Sequence, residues 1–438
     1  MALPNNMPTC PCCAFILSSG DGALSSLPWN QDRDGSGLCF SAAPQPVETT
    51  TNAIIDPVEA WETTNAIIDP VEAWEKIRAI GRGGEYKHEN SVLLVDSHGH
   101  PQLRREAQYD AGSSSEQPSS VVSLACAVAP PDWEDVIAYS SHEYILPALG
   151  VHPWYLNEIM ETSASDAILS EDCLEEYLDW GWLDDLEAKL LEHPNLLVGE
   201  IGLCKMAKFV REFPKEKGGK ATAMVLQKMV FRRQFELAAR FQRPVTVHCV
   251  NAHGILMDIF KDIYENAKSS PTASENGGKD ELKRRLRRAF PPSIAMHSFT
   301  GTAHHCNELL LFEREIISPG STQRGGNRRR NKKRETETRH EDSDSDNPIF
   351  YFGFSHAVNH LMCTSEKARK KGGEAVRAIP SERLLVESDV HNPSDVALGT
   401  AGAASYAANV RGLSLEEIVT TTTTNGLRFL RSVGRPQL

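Results

Sequence analysis

Beyond Ser91 the chain settles into short apolar runs separated by longer amphipathic stretches, the βαβα pattern of a parallel sheet wrapped in helices. The runs that predict strands cover residues 92–95, 121–128, 144–150, 196–199, 244–247, 294–296, 349–354 and 384–387. Between them, helical periodicity covers 133–141, 171–192, 221–241, 254–267, 302–316, 365–377 and 415–430. The first link, after His100, is polar and rich in Gly and Ser and predicts no helix. Eight strands with intervening helices close most simply into a (β/α)8 barrel, here over residues 91–431 with a tail at 432–438.

The first ninety residues have no such period, being rich in Ser, Gly, Pro and Asn, and are expected to form a disordered extension. Within them TTNAIIDPVEAWE at 50–62 is repeated without change at 63–75. Two copies are too few for a solenoid, so a tandem duplication or a gene-model error is the plainer reading. The apolar positions of each copy (Ile54, Ile55, Val58 and Trp61 in the first) have helical spacing, interrupted by Pro57, and the alternative is a short docking helix starting at each Pro. Cys10, Cys12 and Cys13 lack a matching half at zinc-finger spacing. Two inserts break the barrel pattern: 268–282, read as a surface excursion, and 318–347, a low-complexity stretch with basic residues at Arg328–Arg330 and Lys332–Arg334 followed by an acidic run. The second resembles a nuclear-import or polyanion-binding patch, or is simply a solvated loop.

Charge narrows the functional classes. The formal net charge of −13 excludes a protein that coats duplex DNA through a global positive field, so any nucleic-acid contact is local. No apolar run is long enough to span a membrane, and the first basic residue is Arg33, which argues against a secretory or mitochondrial leader. Ten cysteines in 438 residues do not resemble a disulfide framework; a reducing cytoplasmic or nuclear setting is expected.

The ionisable residues at the strand ends carry the chemistry. The first run ends VDSHGH, with Asp96, His98 and His100 on one side of an extended backbone, where two imidazoles can chelate one metal. The fourth ends in Glu200, the fifth in His248, the sixth in His297 and the eighth in Asp389. In a barrel all strand carboxyl ends meet at one rim, so these residues share a mouth. Four imidazoles and two carboxylates exceed the needs of one metal and suit two. The expected division gives His98, His100 and Asp389 to one ion and His248 and His297 to the other, with Glu200 bridging and Asp389 as general base.

These residues lie in landmarks whose order and spacing resemble the TatD family of metal-dependent deoxyribonucleases, amidohydrolase-type barrels: DSHGH (96–100), ALGVHPW (148–154), VGEIGL (198–203), RPVTVHC (243–249), MHSFTG (296–301), YFGFS (351–355) and LLVESD (384–389). The resemblance implies metal ligation by His98, His100, Glu200, His248, His297 and Asp389. It casts His152, in GVHP, as a histidine at the mouth that binds or orients a phosphate. It further implies two divalent ions (Mg²⁺, Mn²⁺ or Zn²⁺) and 3′-to-5′ hydrolysis of single-stranded DNA or other nucleic-acid ends. Three positions depart from the family pattern: Cys204 where Asp is usual, Val250 where Arg is frequent, and Gln102 after Pro101. Loss of a basic residue at Val250 weakens DNA as the substrate more than it weakens hydrolysis. Two alternatives stand beside nuclease. One is a scaffold of a cell-cycle complex that keeps the barrel and docks a protein partner through the amino-terminal extension or the 318–347 insert. The other is an ester or amide hydrolase acting on a small substrate.

Overall fold

Every one of the eight apolar runs forms a strand, and the strands pair in parallel in chain order: β1 (Leu94–Gly99), β2 (Val121–Cys126), β3 (Ile145–Leu149), β4 (Leu197–Cys204), β5 (Val245–Val250), β6 (Ile294–Met296), β7 (Phe350–Ser355) and β8 (Leu384–Glu387). The structure is a computed structural model and describes residues 67–83, 92–105, 108–109, 116–160, 171–269, 279–319 and 347–431. The carboxyl ends of β8 and β1 are tied together. Asp389 N–H donates to the His98 carbonyl at 3.0 Å and His100 N–H to the Val390 carbonyl at 2.8 Å. The buried Asp96 carboxylate accepts from both the backbone N–H and the hydroxyl of Ser388, each at 2.7 Å. The architecture is the expected (β/α)8 barrel.

Side chains alternate along each strand, which divides the apolar residues into two compartments. Val95, Leu124, Leu146, Leu197 and Tyr351 form one cluster with Phe429 and Leu430, which reach in from the last helix and plug the barrel. The alternate set, with Leu94, Val121, Val198, Val247 and Phe352, packs against the surrounding helices. Those helices are α1 (Pro70–Gly83), α2 (Trp133–Tyr139), α3 (Gly181–Glu192), α4 (Lys208–Glu212), α5 (Gly219–Arg240), α6 (His253–Ser269), α7 (Lys279–Arg288), α8 (Ala303–Ile317), α9 (Glu366–Ala378), α10 (Val396–Arg411) and α11 (Leu415–Arg431).

The structure departs from the pattern reading in four places. The extension is not unstructured throughout, because the second repeat copy starts helix α1. Pro70 is its first residue, and Asp69 Oδ1 caps it by accepting from Val71 N–H at 2.9 Å, so the proline opens the helix instead of breaking it. Ala73, Trp74 and Ile77 are buried against the barrel's helical shell, and the Ser405 hydroxyl of α10 bonds to both the N–H and the carbonyl of Ile68. The first copy, like most of 1–90, lies outside the described residues. Helix α10 itself is Ala- and Gly-rich and buried nearly all round, so it has no amphipathic period to detect. The 268–282 excursion contains the start of α7, and of the 318–347 insert only its edges are described. The stretch 171–192 divides into a 3₁₀ turn (Glu171–Tyr177) and α3. No helix among the described residues is long and apolar enough to cross a membrane.

Candidate metal centre

The strand ends bring every predicted ligand into one buried cluster with Glu200 at its middle. Glu200 rises from β4, and β5 passes so close beside it that a Cβ on Gly202 would lie 2.0 Å from the His248 carbonyl oxygen. Glu200 Oε2 lies 3.2 Å from the Nε2 atoms of both His98 and His100, from β1 and its end. Glu200 Oε1 lies 2.9 Å from His248 Nδ1, and 3.2 Å from Nε2 of His297 and of His152. The Nε2 atoms of His98 and His100 face each other at 3.3 Å. Asp389, in a left-handed backbone conformation (φ 52°) just past β8, sets Oδ1 3.9 Å from His100 Nε2 and accepts from the Ser298 hydroxyl through Oδ2. All seven residues are at most 5 % exposed, a degree of burial that is costly for so many ionisable groups unless something compensates them.

Outer hydrogen bonds fix which ring nitrogens face inward. His98 Nδ1 meets the Thr246 hydroxyl at 2.9 Å, His100 Nδ1 the Cys126 carbonyl at 2.7 Å, and His297 Nδ1 the Glu387 carboxylate at 3.1 Å. A proton on each Nδ1 satisfies these acceptors and turns the Nε2 lone pair toward Glu200, the arrangement in which histidines ligate metals. His152 is the opposite case. Its Nδ1 accepts from the Trp154 backbone N–H at 3.3 Å, which places its proton on Nε2, toward Glu200.

The electrostatics follow. Burial opposes the charge on Glu200, but His152, His297 and His98 hold its carboxyl well below the ordinary range. Burial and the neighbouring His297 lower His98 to about 3, and burial lowers His152 to about 4. Burial also works against protonated His100 and His297, yet Glu200 and Asp389 raise both. Asp389 is raised to about 6 by burial. A proton or a cation must therefore stand between the carboxylate and the inward-facing nitrogens. Two further buried polar atoms of the cluster, His248 Nε2 and Asp389 Oδ1, have no hydrogen-bond partner. Unsatisfied acceptors and inward lone pairs in one cavity fit divalent cations.

Three donor sets close within the cluster: His98, His100 and Asp389; His98, Glu200 and His297; and His152, Glu200 and His248. The first is the set expected for one ion. His248 and His297, expected to share the other, fall into different sets, and His152 joins them. Glu387 is the residue in contact with the cluster that the sequence reading passed over. It is fully buried, accepts from His297, from the Ser298 N–H and from the Ser97 hydroxyl, and occupies space that a side chain at Gly353 would fill. Its signal was its place as the last residue of the apolar run, two before Asp389 in LLVESD. Asp96, in phase with His98 and His100, serves the β8 tie instead of the cluster.

A parallel barrel with a buried, multi-histidine carboxylate centre at its carboxyl rim defines a metal-dependent hydrolase. The profile of the TatD related DNase family matches residues 95–318, just over half the chain, and the chain belongs to that family, whose members act on ester bonds. It is 24 % identical over 374 residues to the Cut9-interacting protein scn1 of Schizosaccharomyces pombe, covering 77 % of this chain and 98 % of that one. It is 28 % identical over 231 residues to an uncharacterized deoxyribonuclease of Saccharomyces cerevisiae, covering 45 % and 71 %. Among solved structures, a TatD homologue from Escherichia coli aligns with a TM-score of 0.44 at 15 % identity, over 77 % of this chain and 97 % of that one. An uncharacterized amidohydrolase from Saccharomyces cerevisiae aligns with a TM-score of 0.46 at 14 % identity, over 76 % and 98 %.

Proposed function

We propose that this chain trims single-stranded DNA from its 3′ end by hydrolysing phosphodiester bonds, with two divalent cations held around Glu200. The observation that supports this most is the ring orientation described above: His98, His100 and His297 have their outer nitrogens tied off and turn their inner nitrogens to one carboxylate, on which His248 also converges. His98, His100 and Asp389 would hold one cation, His248 and His297 the other, and Glu200 would lie between. Paired cations supply positive charge at both the attacking and the leaving oxygen of a phosphodiester and ease loss of a proton from water. Asp389, whose Oδ1 has no hydrogen-bond partner, would be the group placed to take that proton. His152, whose Nε2–H points to Glu200 Oε1 at 3.2 Å, would share that hydrogen with a phosphate oxygen and is unsuited, in that tautomer, to ligating a metal.

Full-length protein stripped with a chelator and reloaded with Mg²⁺, Mn²⁺ or Zn²⁺ should shorten a 5′-labelled oligonucleotide one nucleotide at a time. Metal-loaded protein that leaves every DNA and RNA end intact would retire the nuclease reading, and a panel of model esters would then find the substrate class. The relation to scn1 over nearly that protein's whole length favours a second, compatible reading in which the chain also docks a protein partner. Deletion of 320–346 should then abolish capture by that partner and leave hydrolysis intact.

A further inference from the structure

Between the segment after β3 and helix α4, joined to the candidate metal centre through Trp154, lies a cavity of ≈ 380 Å³ lined by Trp154, Asn157, Lys208, Phe209, Phe213 and Glu212, with Pro214. It is built onto the centre by short links. His152 Nε2 is 3.2 Å from Glu200, and Trp154 gives its backbone N–H to the other nitrogen of the same ring. Trp154 also donates its indole N–H to Cys204 Sγ at 3.3 Å, at the end of the strand that carries Glu200. Gln227 of α5 fastens the two walls together: its amide nitrogen donates to the Pro153 carbonyl and its amide oxygen accepts from Cys204 N–H, both at 3.0 Å. Phe209 and Phe213 meet edge to face at 5.3 Å between centroids, and the ion pair of Lys208 with Glu212 stands at the rim beside Asn157.

Flat aromatic walls under a rim of one cation, one anion and one amide match a flat heterocycle whose edge carries both donors and acceptors. We propose that this cavity holds the nucleobase of the nucleotide adjoining the scissile bond, seated against Phe209 and Phe213. The inference rests on the nucleic-acid reading above and adds to it a base subsite. An aliphatic ligand would have no use for the three polar side chains, and a bare phosphate would have none for the aromatic walls.

Two substrates separate the alternatives: an oligonucleotide with a normal 3′-terminal nucleotide, and the same strand ending in an abasic residue. Metal-loaded wild-type protein should prefer the base-bearing end by about tenfold in kcat/KM, the scale of one stacked base. Phe209→Ala should bring that ratio close to one, and Phe209→Trp should restore it. A preference that survives in Phe209→Ala, or is absent from wild type, overturns the inference while leaving the nuclease reading standing. Binding is read separately from turnover by comparing thymidine 5′-monophosphate with deoxyribose 5-phosphate in metal-loaded protein. Tighter binding of the nucleotide that is lost in Phe209→Ala supports the subsite even if no strand is cut, and equal binding of the two argues against it.

Discussion

The two ends of the barrel are made from the same strands and obey opposite rules. At the amino end Phe429 and Leu430 press into Val95, Leu124, Leu146 and Tyr351, a packed apolar plug. A few residues further along, the strands deliver five imidazoles and the carboxylates of Glu200, Glu387 and Asp389 into a space equally shut off from water. Burying ionisable groups whose inward nitrogens converge opposes folding, whereas burying phenyl and leucyl side chains favours it. The barrel thus concentrates apolar packing at one end and ionisable groups at the other, with the same strands contributing to both.

The sharpest test of that division is Glu200→Gln. It keeps the shape and removes the charge on which five imidazoles converge, so hydrolysis should fall by at least about 10³-fold, beyond what one well-placed hydrogen-bond donor supplies. Circular dichroism should remain that of the wild type. Loss of the folded spectrum would show that the centre also holds the barrel together. The mirror experiment is Phe429→Ala. Emptying a fully buried aromatic site should cost about 3–5 kcal/mol in denaturant unfolding, while protein kept cold and folded still binds its cations. Unchanged stability there would mean that the plug is not what supports the mouth.

The sequence carried this division unevenly, for physical reasons. Strand positions and the clustered side chains were legible together because a barrel strand is a short apolar run whose carboxyl end meets the mouth; the convergence of His98, Glu200, His248, His297 and Asp389 needed no more than that rule. Helix α10 was invisible because Ala397, Ala401, Ala404 and Ala407 are buried on a helix with no exposed stripe to set a period. Helix α1 was legible only as the alternative of a helix starting at each Pro, because a proline reads as a breaker until Asp69 is seen to cap it. Glu387 ends its predicted run yet stood in the shadow of Asp389, and its bond to His297 joins residues ninety apart that no local pattern connects. The tautomer of His152 depends on one backbone N–H, a matter of local geometry that the residue type does not encode.

Glu387 tests how far the functional end extends below the ligands. Its carboxylate orients His297 and is itself held somewhat below its usual range by that imidazole, against the burial that would raise it. Glu387→Ala should weaken cation binding by about 10–100-fold, the usual cost of losing an outer partner of a ligating histidine. Isothermal titration with Mn²⁺ measures it. Wild-type affinity in the variant would confine the functional end to the residues that touch Glu200.

The smallest expected effect distinguishes the ends by pH. His253 at the start of α6 and His356 after β7 lie outside the ligand cluster; burial first, and then His305 and His360 respectively, lower them to about 3 and about 4. Both bind their protons more weakly folded than unfolded, where they titrate near 6.5. Their contribution to stability is therefore complete above pH 6.5 and is lost as pH falls through the window down to about 4 for His356 and about 3 for His253. Thermal midpoints should fall across that range, and His253→Gln should make the decline shallower. Phe429→Ala, which removes no titrating group, should lower the midpoint by a similar amount at every pH. If His253→Gln keeps the wild-type slope, acid sensitivity does not arise at His253, and the contrast between the ends narrows to the metal cluster itself.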